Sequence, residues 1–103
     1  MLSVKEMKLI EVVEQLHELP ESTFICARRP WTRYAESKLV PFTEDLRVPQ
    51  EVLAEGFDYF LEVSTAREIL EGFLEKDPSL ERITEFLIYY AEYDAFPDWA
   101  ESV

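Results

Sequence analysis

The sequence predicts an α+β fold: a small, mostly antiparallel sheet of about three strands, with an N-terminal helix and two C-terminal helices packed on one of its faces. Three observations lead there. Apolar residues recur at helical spacing near both ends of the chain, and short stretches rich in β-branched and aromatic residues lie between them. The resulting order, α-β-β-short α-β-α-α, is that of helices gathered against a sheet. With 103 residues, 48% of them hydrophobic and only two glycines (Gly56, Gly72), residues 1–103 are expected to form a single compact domain with a real core.

The first helix is expected over roughly residues 4–18. Ser3-Val4-Lys5-Glu6 has the Ser-x-x-Glu spacing of a capping box, and Ile10, Val13 and Leu16 follow at helical intervals until Pro20. Thr23-Phe24-Ile25-Cys26-Ala27 reads as a strand ended by Pro30. A weaker strand is expected around residues 37–42, with Pro41 confining it to an edge or ending it early. A short helix follows over residues 48–56, with Pro49 in its first turn and Gly56 at its end. From Phe57 to Val63, Phe57, Tyr59, Leu61 and Val63 alternate with Asp58, Phe60 and Glu62, the period of a half-buried strand.

Two helices close the chain. Thr65-Ala66-Arg67-Glu68 repeats the capping-box spacing ahead of Ile69, Leu70, Phe73 and Leu74, giving a helix as far as Lys76. Asp77 and Pro78 supply an N-cap and a first-turn proline for the last helix, which carries Leu80, Ile83, Leu87 and Tyr90 and stops before Pro97.

Charge is unevenly spread. Residues 1–50 carry seven Lys or Arg against eight Asp or Glu, and residues 51–103 three against fourteen, so −1 and −11 make up the formal net charge of −12. With a pI near 4.4, the chain is repelled by nucleic-acid backbones and anionic membrane surfaces, and its expected partners are a basic protein or a second copy of itself. Glu68, Glu71, Glu75, Glu81, Glu85 and Glu92 fall between the apolar positions of the last two helices and face solvent. They either keep a small domain soluble or form a platform for a basic protein. The opposite patch is Arg28, Arg29, Trp31 and Arg33, followed by Lys38. Such a cluster binds an oxyanion or answers the chain's own carboxylates, and the abundance of acids favours the second.

The aromatic end, IYYAEYDAFPDW from Ile88 to Trp99, holds the candidate partner-binding residues. Phe86, Leu87, Tyr90 and Phe96 are expected in the core, because their stripe continues the aliphatic one. Tyr89, Tyr93 and Trp99, set among Glu92, Asp94 and Asp98, stay open between core and docking surface. A tryptophan this close to the chain end either folds back as a lid or awaits a partner.

Catalytic and cofactor signatures are missing from the sequence. A single cysteine, Cys26, rules out an internal disulfide framework and a multi-cysteine zinc site, and fits a reducing cytoplasm. A lone histidine, His17, rules out a His-based metal cluster and is expected to be half packed at the border of the first helix. A Cys26–His17 couple is disfavoured by the apolar strand around the thiol. No glycine-rich phosphate loop, calcium loop, signal-peptide pattern or run of about eighteen apolar residues occurs. No enzymatic activity, cofactor or metal is therefore expected.

The segments EVVEQLHELP, EGFDYFLEVSTAREILEGFLE and LIYYAEYDAFPDW resemble a family of small acidic bacterial proteins of unknown function. The resemblance implies a bacterial, cytosolic protein and no particular activity. In size and charge the chain is also similar to immunity proteins of bacterial toxin systems, whose acidity complements basic toxins. Together these lead to the expectation of a non-enzymatic, acidic protein-interaction domain, with an immunity-like or inhibitory protein as one form of it. The alternatives are a self-associating bacterial or phage accessory protein and, further off, a carboxylate-based enzyme or metal-binding protein.

Overall fold

The computed structural model describes residues 7–73, 76–95 and 97, and the fold is α+β with four strands rather than about three. In chain order they are β1 (Met7–Lys8), α1 (Leu9–Glu14) followed by a 3-10 turn at Leu16–Glu18, β2 (Thr23–Arg28), β3 (Glu36–Pro41), α2 (Gln50–Ala54), β4 (Phe57–Glu62), α3 (Val63–Glu71) and α4 (Leu80–Tyr93). The sheet runs β1-β3-β2-β4, with antiparallel pairing throughout.

β2 is central and buried on both sides, because it lacks a polar alternate to turn toward water. Ile25 and Ala27 enter the larger core with Leu9, Val12 and Leu16, Phe60 and Leu61, Val63, Ala66 and Ile69, and Phe86 and Leu87. Phe24 and Cys26 enter a smaller cluster with Val40 and Phe57, against which Phe42, Val48 and Val52 pack. So the helices do not all lie on one face: α1, α3 and α4 cover the first, while α2 and its lead-in cover the second.

The expected alternation of β4 is broken. Ile25 pairs with Leu61 and Cys26 with Tyr59, so Phe60 is the extra residue of a β-bulge. Phe57 and Tyr59 lie on the α2 side, whereas Phe60 and Leu61 both enter the larger core.

The first helix is shorter than expected, and a strand stands at Met7 and Lys8. Helix α1 starts where the Lys8 N–H donates to Glu11 Oε1 at 2.8 Å, and the N–H groups of Leu9 and Ile10 donate to the carbonyls of Ala35 and Arg33 at 2.9 and 2.8 Å. The loop between β2 and β3 thus satisfies donors that a helix start leaves open. The Ser3-x-x-Glu6 spacing lies outside the described residues.

Two other helix starts differ from the expected ones. Helix α3 leaves β4 directly with Glu62 at its N-cap, leaving Thr65 and Glu68 inside it. For α4 the cap is Ser79, whose Oγ accepts the Arg82 N–H at 3.1 Å, while Asp77 takes φ 48°. Pro49 is the N-cap of α2 rather than a first-turn residue. Gly56, with φ 93°, turns the chain from α2 into β4, and a Cβ there would meet Arg28 Nη1 at 2.6 Å. Arg67 of α3 donates to Leu16 O at 2.9 and 3.1 Å and to Leu19 O at 2.6 Å, tying α3 to the 3-10 turn. No described helix is long and apolar enough to cross a membrane.

Candidate functional site

Helix α4 has two faces. Thr84, Phe86 and Leu87 are buried, Leu80, Ile83 and Ala91 are partly so, and Phe73 stacks on Phe86 with centroids 4.2 Å apart. The Thr84 hydroxyl donates to Leu80 O at 2.8 Å, so its burial leaves no open donor. The opposite face carries Glu81, Glu85, Tyr89, Glu92 and Tyr93, spaced three and four residues apart, as one helical stripe requires. Tyr93 is 64% exposed and Tyr89 36%, and their rings touch at 4.6 Å. Phe86 and Leu87 are core residues and Tyr90 is half-buried against the core. Phe96, Asp98 and Trp99 lie outside the described residues.

The basic loop after β2 lies against this stripe. Trp31 is 8% exposed, packs edge-on against Phe60 at 5.0 Å and donates its indole N–H to Ala27 O at 3.2 Å. Arg29 lies flat over Trp31, its Cζ 3.8 Å from the ring centroid. Its Nη1 meets Glu92 Oε2 at 2.7 Å and its Nε meets Asp58 Oδ2 at 3.3 Å. The hydrogen bond to Glu92 is the main cause holding the Arg29 guanidinium even more firmly protonated than usual. Arg33 Nε meets Glu85 Oε2 at 3.2 Å. Two patches distant in sequence, residues 29–33 and residues 85–93, are therefore one surface.

Between them runs an open groove of about 430 Å³, with Trp31 and Ile88 on its floor and Arg82, Glu85, Tyr89, Glu92 and Tyr93 along its rim. Among the described residues no group of His, Cys, Asp and Glu is able to hold a metal. What the groove offers is aromatic area beside the carboxylates of Glu85 and Glu92 and the side chain of Arg82.

Arg28 sits elsewhere. It lies over Phe57 at 4.2 Å, pairs with Glu36 at 3.6 Å and donates to Glu55 O, while Lys38 Nζ meets Glu55 Oε1 at 2.6 Å. The hydrogen bond and charge of Lys38 hold the Glu55 carboxyl below its ordinary range. Arg28, Arg29 and Arg33 are thus all on the chain's own carboxylates, and Arg28 is not part of the groove. Asp94 caps α4 with φ 54° and is exposed beyond Tyr93. His17 is exposed on the 3-10 turn rather than half packed. Burial pushes the Cys26 thiol up to about 11, so it is not a nucleophile at neutral pH.

One surface escaped the sequence. Leu46, Leu53 and Tyr59 are exposed together along a groove of about 510 Å³ on the α2 side, with Phe24 and Val48 beneath. Tyr59 keeps to the row of buried Phe57, as alternation expects, but its ring stands at the edge of the smaller cluster, against Phe24, and is 43% exposed. Compared with protein-family models, with curated proteins and with solved structures, the chain matches none of them, so its functional reading rests on the geometry of these surfaces.

Proposed function

We propose that this chain is a non-enzymatic protein-interaction domain that offers the outer face of α4 to a basic protein partner. The observation that carries this reading is the pair Tyr89 and Tyr93, two touching, solvent-facing rings flanked by Glu85 and Glu92 in a half of the chain whose net charge is −11. Large amphipathic rings are what hot spots are made of, and surrounding charge of one sign steers a partner of the other. Inhibition of a basic toxin in the cytoplasm, as an immunity protein does it, is the form of this role that size and charge support. Self-association through the same rings would bring two strongly acidic surfaces together, which the charge opposes.

The test is affinity capture with identification of the partner, then calorimetric titration of the purified pair at rising salt, for the native chain and for Tyr89→Ala/Tyr93→Ala. The expected partner carries net positive charge, its affinity falls with salt, and the double substitution weakens it at least about tenfold. A partner that binds both chains alike removes the α4 face from the reading. A salt-insensitive dimer in sedimentation, dissolved by the same substitutions, would replace it with self-association.

A further inference from the structure

We propose that the groove between α4 and the 29–33 loop takes an arginine side chain of the partner, its guanidinium laid against Tyr89 and Tyr93 and hydrogen-bonded to Glu92. This rests on the reading of α4 as a protein-docking face and adds the chemical group that is read there.

The chain already shows what the groove accepts. Arg29 places its guanidinium flat on Trp31 at 3.8 Å while its Nη1 holds Glu92 Oε2 at 2.7 Å, so ring face and carboxylate are set at the separation one guanidinium spans. That contact uses one oxygen of Glu92, and Oε1 takes no part in it. A carboxylate accepts at both oxygens, so a second guanidinium fits without displacing the first.

The rings give the second argument. Among the described residues, Tyr34 has Lys8 and Arg33 within cation–π range, Phe57 has Arg28 and Lys38, and Trp31 has Arg29. Tyr89 and Tyr93 have no such cation among them, although they share a groove with Arg82, Glu85 and Glu92. A ring pair beside carboxylates, with its faces in water, is the arrangement that takes a cation from outside. Arginine fits better than lysine, because a planar, weakly hydrated guanidinium stacks on the ring and bonds the carboxylate at once. An anion would meet Glu85 and Glu92 as well as Arg82, and a neutral donor would bond the carboxylates without the ion pair that a guanidinium adds.

The test is an amide-shift titration of the full chain with three capped pentapeptides, identical but for a central arginine, lysine or citrulline. The arginine peptide is expected to shift the signals of Tyr89, Glu92 and Tyr93 and the Trp31 indole at millimolar concentration. Lysine should act more weakly, and citrulline, the neutral isostere, should leave these signals in place. Glu92→Gln is expected to weaken the arginine peptide by about tenfold, with Tyr93→Ala as an independent second variant and Glu51→Gln, exposed on α2 at the other face of the sheet, as the control that keeps binding. Equal shifts with citrulline, shifts centred on Leu46, Leu53 and Tyr59, or none at millimolar peptide would overturn the inference. A basic protein that still loses affinity on Tyr89→Ala/Tyr93→Ala in that event would leave the docking face standing, whereas failure of both would remove both.

Discussion

Arg67 directs its guanidinium at main-chain carbonyls instead of a favourable surface charge. Nε and Nη2 both reach Leu16 O, and Nη2 also reaches Leu19 O, leaving only Nη1 near Glu21 at 3.5 Å. Those carbonyls bracket the 3-10 turn, where the Leu19 N–H also donates to Leu16 O, at 3.4 Å. Hydrogen bonds to a charged group contribute about 1.5–3 kcal/mol, and three that share one partly exposed guanidinium are not additive, so the group as a whole is expected near the upper end of that range. Arg67→Met, which keeps the aliphatic stem, should therefore lower unfolding free energy by about 2–3 kcal/mol in urea titration. Loss of the exposed Arg67–Glu21 contact by Glu21→Gln should change it by less than about 0.5 kcal/mol. The contrast between the two variants separates carbonyl capping from ion pairing.

Helix α4 carries the proposed docking stripe, and its cap is the most direct lever on it. Ser79 satisfies the Arg82 N–H, so Ser79→Ala is expected to cost about 1 kcal/mol, read as a lower denaturant midpoint with an unchanged slope. Much of this element was legible: the periodic run from Leu80, its buried Phe86 and Leu87, and its acidic outer row all follow from spacing alone. Its first residue was not, because Asp77 and Ser79 are equally good caps by type, and only the backbone, which puts Asp77 at φ 48°, decides between them. Strand β1 was hidden for another reason: two residues, Met7 and Lys8, become a strand only because Ser37 and Glu36, some thirty positions later, pair with them. The union of residues 29–33 with residues 85–93 is hidden likewise. Each patch is visible by composition, but the contacts Arg29–Glu92 and Arg33–Glu85 are set by how β2 and α4 pack across the core.

At the scale of the molecule, six ion pairs among the described residues join side chains that are mostly well exposed, and each such pair contributes little. Against them stands a net charge of −12, whose self-repulsion is long-ranged and screened by salt. The balance predicts that raising sodium chloride from low to physiological ionic strength increases Tm, even as it weakens a basic partner; a Tm that falls would mean the local pairs outweigh the net repulsion. The two clusters inside this charged shell are joined through β4, where Phe60 is one residue too many for its partner strand. That surplus residue puts two consecutive side chains, Phe60 and Leu61, on the same face. Because α3 follows Glu62 without a loop, the side of the sheet from which β4 ends is also the side that α3 must cover. Exchanging one apolar residue for another within β4 alters packing and leaves that choice intact. Removing Phe60 would leave it intact as well, because Tyr59 and Leu61 would then stand as ordinary neighbours opposite Cys26 and Ile25; that deletion takes a ring out of the core, so the surplus residue matters for its volume and not for the direction of the chain.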